Sequence, residues 1–68
     1  MARYYVNRTA QTNGDNEVHE ETCYWLSLAL SKEDLGHHLS CHTAVAQARP
    51  RYAKANGCKH CATACHTS

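Results

Sequence analysis

The sequence predicts a small α+β module stapled by a metal ion. Three observations lead there: alternating Tyr and Val near the N-terminus, small apolar residues at helical spacing beyond Ser40, and Cys/His pairs at ligand spacing in both halves of the chain. The chain has 68 residues, which sets a single domain over 1–68. Its 43% hydrophobic content includes ten alanines and five cysteines, and neither Ile nor Phe occurs. Ordering such a chain costs on the order of 100 kcal/mol, and eight Val and Leu side chains are too few to offset that alone. A covalent or metal staple is therefore expected.

The segment Arg3 to Arg8 is rich in aromatic and β-branched residues, with Tyr4 and Val6 facing one way and Tyr5 the other, as a half-buried strand requires. Asn13-Gly14-Asp15-Asn16 is a turn signal, because Asn and Gly tolerate positive φ. The return strand begins near Glu17-Val18-His19, which makes an N-terminal hairpin, or a three-stranded sheet if the apolar piece from Cys23 to Leu30 joins it. Residues 31–39 read as loop, His37 and His38 included, since the short Ser31-Lys32-Glu33-Asp34 capping signal is stopped by Gly36. The main helix is expected from about residue 40 to 55. Ser40 is its N-cap, and Cys41, Ala44, Val45, Ala48, Tyr52 and Ala55 line one face. Pro50 should kink or restart it before Asn56-Gly57 closes the segment.

Charge is unevenly divided. Residues 1–34 hold three Arg/Lys against six Asp/Glu, whereas residues 35–68 hold four Arg/Lys and no acid, together with five of the six histidines. This basic half admits a nucleic-acid partner or an ordinary solvated face. The first ten residues lack the apolar run of a signal peptide, and no stretch is long enough to span a membrane, so a cytoplasmic setting without membrane contact is expected. In reducing surroundings, five cysteines interspersed with histidine favour metal ligation over a disulfide framework.

Cys58-x-x-Cys61 directly after Gly57 has the form of a zinc knuckle, but supplies only half a site. His19-x3-Cys23 supplies the other half. Residues i and i+4 on a straight strand lie about 13 Å apart, whereas ligand atoms around zinc are about 3.7 Å apart, so the strand must end between them at Glu20-Glu21-Thr22. The expected metal set is His19, Cys23, Cys58 and Cys61, holding structural Zn2+ with no open position for substrate water. A competing set takes Cys58, Cys61 and Cys65 with His66, His19 or Cys23 as the fourth ligand. Cys41 reads as a small buried hydrophobe. A Cys41–Cys65 disulfide is the remaining arrangement, and implies an oxidising compartment.

The order strand, His19-x3-Cys23-x2-Leu26, alanine-rich helix and Gly57-Cys58-Lys59-His60-Cys61 resembles the zinc-binding N-terminal domain of Ada-type DNA repair proteins over about two-thirds of the chain. The resemblance implies the fold and the metal. It argues against the family's methyl transfer, because His19 stands where a methyl-accepting cysteine is needed. The series Asn7, Gln11, Gly14-Asp15, Glu17-Val18-His19 and Cys23 also resembles a set of short uncharacterised bacterial proteins, and brings no activity with it.

Three functional classes are compatible with these residues. The first is a non-enzymatic module that presents its helix and Lys59-His60 to nucleic acid or to a protein. The second is an interaction or oligomerisation domain using Trp25, Leu28 and Leu30. The third is a thiol-reactive protein using Cys41 or Cys65. No catalytic residue and no organic cofactor is expected.

Overall fold

The computed structural model describes residues 1–67. Its element order is β1 (Ala2–Asn7), β2 (Asn16–Glu20), α1 (Tyr24–Ser27), β3 (Lys32–His38), α2 (Cys41–Ala48), β4 (Ala55–Gly57) and a 3-10 turn at Thr63–Cys65. The strands form one mixed sheet in the order β3-β1-β2-β4. The architecture is α+β, as the sequence predicts, with four strands in place of two or three.

β1 and β2 form the expected antiparallel hairpin, with Tyr5 opposite His19 and Val6 opposite Val18. Their connection turns where anticipated: Gly14 has φ +93°, its N–H donates to Gln11 O, and the Asp15 N–H donates to Asn13 Oδ1. Opposed residues share a face, so Val6 and Val18, both fully buried, form the centre of the sheet's apolar side.

Within the segment 31–39, Lys32–His38 is a strand and not a loop. β3 pairs antiparallel with β1 at the sheet edge, Ala2 opposite His38 and Asn7 opposite Lys32. Tyr4 pairs with Gly36 and Tyr5 with Asp34, which leaves Leu35 as the extra residue of a bulge. Gly36 makes this possible with φ +81°, and its N–H donates to Asp34 Oδ1. An edge strand needs only one buried position here, and Leu35 fills it, so the charged composition hides the strand from a reading by alternation.

Helix α2 begins after Ser40, as expected, and buries Cys41, Ala44, Val45 and Ala48. It ends at Ala48 and does not continue to residue 55. Pro50 has no N–H to extend the ladder, and the Arg51 and Tyr52 N–H groups both close on Ala48 O. The released chain then runs through Lys54 into β4, which pairs in parallel with β2, Val18 opposite Gly57. Asn56-Gly57 therefore lies in a strand where the sequence suggested a helix terminus. Gly57 is required by packing: an added Cβ would meet Cys65 Cβ at 2.5 Å and Ala62 O at 2.6 Å.

The Cys23–Leu30 piece supplies no third strand. It forms the single helical turn α1, which buries Leu26 and leaves Trp25, Leu28 and Leu30 at the surface. One apolar cluster joins Tyr4, Val6, Val18, Leu26, Leu35 and Val45 to Cys23, Cys41, Cys58 and Cys65. Cysteine thus contributes much of a core that has little Leu and no Ile.

Candidate metal centre

Strand β2 sets the first half of the site. Its pleat buries Val18 on one face and His19 on the other. The strand stops at Glu20, and a tight turn closed by the Cys23 N–H donating to Glu20 O brings Cys23 back beside His19. That is the reversal the His-x3-Cys spacing demanded. The second half follows β4: pairing with β2 carries Cys58 to the same end of the sheet, where its N–H donates to Val18 O. The next turn, closed by the Ala62 N–H on Cys58 O, folds Cys61 under the first pair.

His19, Cys23, Cys58 and Cys61 thereby place one ligand atom each within 4.8 Å of all the others. Cys23 Sγ lies 4.0 Å from Cys58 Sγ, and Cys61 Sγ lies 3.8 Å from His19 Nδ1. These separations are close to the edge of a tetrahedron around a first-row metal ion. The four residues can hold a metal ion.

The surroundings suit anionic sulfur and neutral imidazole. The Glu20 N–H points at Cys61 Sγ over 3.3 Å, and the His60 N–H at Cys58 Sγ over 3.4 Å. His19 Nε2 is 3.5 Å from Glu17 Oε1, while Nδ1 faces Cys61 Sγ on the other side of the ring. Burial holds the His19 imidazole below its ordinary titration range, against the pull of Glu17. Burial likewise pushes the Cys58 and Cys61 thiols up in the absence of a bound cation. A group of three sulfurs and one imidazole, all buried but the half-buried Cys61, is thus poised to exchange protons for a metal ion.

The competing set does not assemble. Cys65 is bonded to Cys41, with the Cα atoms 6.2 Å apart, and the His66 ring Nδ1 lies 3.1 Å from Gly57 O. Cys41 is buried as the sequence suggests, and of the arrangements left open for it the Cys41–Cys65 disulfide is the one that forms. It ties the first residue of α2 to the tail, a contact that spacing alone could not select from among five cysteines. A disulfide is at odds with the reducing setting expected for the chain. No helix among the described residues is long and apolar enough to cross a membrane.

Beside the knuckle lies an exposed aromatic group. The Trp25 indole stacks on the His60 imidazole with centroids 5.2 Å apart, and Tyr24 meets Trp25 edge-on at 5.4 Å. The basic residues of the second half are largely engaged elsewhere: Arg51 pairs with Glu33, Arg49 Nε donates to Ala55 O, and Lys54 Nζ donates to Asn13 O. A uniform basic face is therefore not what the fold presents. Comparisons with family models, curated proteins and solved structures found no match.

Proposed function

We propose that this protein is a zinc-stabilised binding module in which His19, Cys23, Cys58 and Cys61 hold a structural Zn2+. The observation that carries this reading is the convergence of four ligand atoms, drawn from two pairs with 34 residues between them in the sequence, within 4.8 Å. Thiolate and imidazole donors favour zinc over the hard cations, and a full Cys3His set leaves no coordination position for a reacting water. The site therefore stabilises and does not catalyse. A structural zinc supplies on the order of 10 kcal/mol of apparent folding energy in small finger peptides, which matches the scale missing from so small an apolar core. Removal of the metal with a chelator, followed by far-UV circular dichroism, tests the reading: native structure should be lost and should return with one equivalent of Zn2+.

Kinship with the Ada-type zinc domain is part of the proposal and rests on the order of the ligand pairs. Methyl transfer is not part of it, because imidazole in the first ligand position offers no activated thiolate. Single-stranded nucleic acid is the partner we favour. Tyr24, Trp25 and His60 offer planar faces at the surface, with Lys59 adjacent in sequence. Because Arg49, Arg51 and Lys54 have internal partners, few phosphates would be neutralised, and log K should fall with log salt with a slope of only about one. Binding of a short oligonucleotide, measured at several salt concentrations with the native chain and Trp25→Ala, tests this. Loss of affinity in the variant is expected, and unchanged affinity removes the stacking role.

The exposure of Leu28 and Leu30, 55% and 97%, favours a second reading as a self-associating or protein-binding surface. A dimeric mass in size-exclusion chromatography with light scattering would support it. The third class, a thiol-reactive protein, needs a free Cys41 or Cys65; the two are joined in a disulfide, so that reading applies to the reduced chain alone.

A further inference from the structure

The Cys41–Cys65 bond lies next to a third ligand. His42 follows Cys41 on α2, and its ring nitrogen lies, with the two sulfurs, in a group whose ligand atoms are all within 4.8 Å of one another. Cys41 and Cys65 are buried, whereas His42 is exposed and, among the described residues, its ring has no hydrogen-bond partner. The imidazole is therefore free to turn toward the sulfurs. A groove of about 590 Å3, lined by His42, Val45, Arg49, Ala64, Cys65 and Thr67, opens onto this point and gives an ion from solution a path to it.

We propose that Cys41, His42 and Cys65 form a second metal site that exists only when their disulfide is reduced. A dithiol reductant delivers two electrons and two protons: the Cys41–Cys65 bond breaks, both sulfurs become thiols, and the reductant closes its own disulfide. A divalent soft or borderline ion then displaces the two thiol protons and binds two thiolates and the His42 imidazole. Three ligands leave one position open, facing the groove, in contrast to the closed Cys3His set. Exchange with a small-molecule disulfide, which takes up the two electrons and is reduced to thiols, re-forms the Cys41–Cys65 bond, removes both thiolates and expels the ion. The reduced chain thus holds one ion more than the oxidised chain.

This inference does not depend on the first site being occupied. The test is native mass spectrometry with Zn2+ as the probe, on protein kept oxidised and on protein reduced with a dithiol that is then removed without air. One ion in the oxidised chain and two in the reduced chain are expected. Reduced His42→Ala, altered at an exposed position that the fold does not need, should return to one ion, or hold the second at least tenfold more weakly against a competing chelator. A count of one ion in both redox states overturns the proposal while leaving the Cys3His reading intact, and a count of none in both overturns the two together. A second ion held equally firmly by His42→Ala overturns the ligand assignment. No ion at the first site, with one gained on reduction, would uphold this inference and sink the other.

Discussion

Glu17 stands two residues before His19 on the same face of β2, and its Oε1 lies 3.5 Å from His19 Nε2. The carboxylate stands at the Nε2 edge of the ring and leaves Nδ1 facing Cys61 Sγ, 3.8 Å away, the side on which a metal ion would bind. One period of a strand has set both the ligand and its orienting partner. Replacing this carboxylate should weaken metal binding without removing a ligand: Glu17→Ala is expected to lower zinc affinity about 10- to 100-fold, with Glu17→Gln intermediate. Competition with a chromophoric chelator measures this directly, and native affinity in Glu17→Ala would remove Glu17 from the site.

Binding should release protons from sulfur and not from nitrogen. Burial keeps His19 neutral near pH 7, while it holds the Cys58 and Cys61 thiols protonated in the metal-free fold. Three thiols becoming thiolates should therefore release about three protons per ion at neutral pH. Affinity should fall as the pH is lowered, because protons then compete for the sulfurs. Calorimetric titration in buffers of different ionisation enthalpy counts the protons; a value near two would mean that one cysteine is not a ligand.

Gly57 is held by its surroundings. An alanine Cβ would press on Cys65 Cβ, Ala62 O and the Cys65 carbonyl carbon at 2.5 to 2.8 Å, and none of these is the tip of a flexible side chain. Gly57→Ala should cost about 3 kcal/mol, the upper end for overpacking a well-filled core. Thermal unfolding will report it, and a melting temperature equal to that of the native chain would mean that the tail relaxes freely.

The Cys41–Cys65 bond and the candidate centre both hold the tail, yet they should be separable. The disulfide spans a sequence separation of 24, and closing a loop of that size contributes about 3 kcal/mol by restricting the unfolded chain. Cys41→Ser/Cys65→Ser should lose roughly that amount while retaining zinc at His19, Cys23, Cys58 and Cys61. Denaturant unfolding and metal analysis of the same sample check both statements. Loss of the metal in this variant would make the two staples a single unit.

What the sequence disclosed, and what it concealed, follows from how local each signal is. The β1–β2 hairpin was legible because Tyr4, Val6 and Val18 alternate and Gly14 marks the turn. The four candidate ligands were legible because their spacing demands a strand end at Glu20, which is where β2 stops. β3 was not, because an edge strand with one buried residue carries no periodic pattern and Gly36 reads as a breaker when it is part of a bulge. β4 was hidden for a related reason: three residues containing Asn-Gly look like a turn, and only their pairing with β2 makes them a strand. The early end of α2 was within reach, since Pro50 announced it; the helical spacing of Tyr52 and Ala55 concealed it. The Cys41–Cys65 pair depends on long-range packing of α2 against the tail, which no local pattern encodes.

The central claim is that a single Zn2+ clamps the β2 hairpin end to the knuckle. Native mass spectrometry of the folded, oxidised chain tests it most directly. The account predicts one zinc ion bound, three thiol protons displaced and one disulfide, with the compact charge-state distribution collapsing when Cys23→Ala is measured in the same way. A compact, metal-free chain, or a Cys23→Ala variant as compact as the native protein, would contradict it.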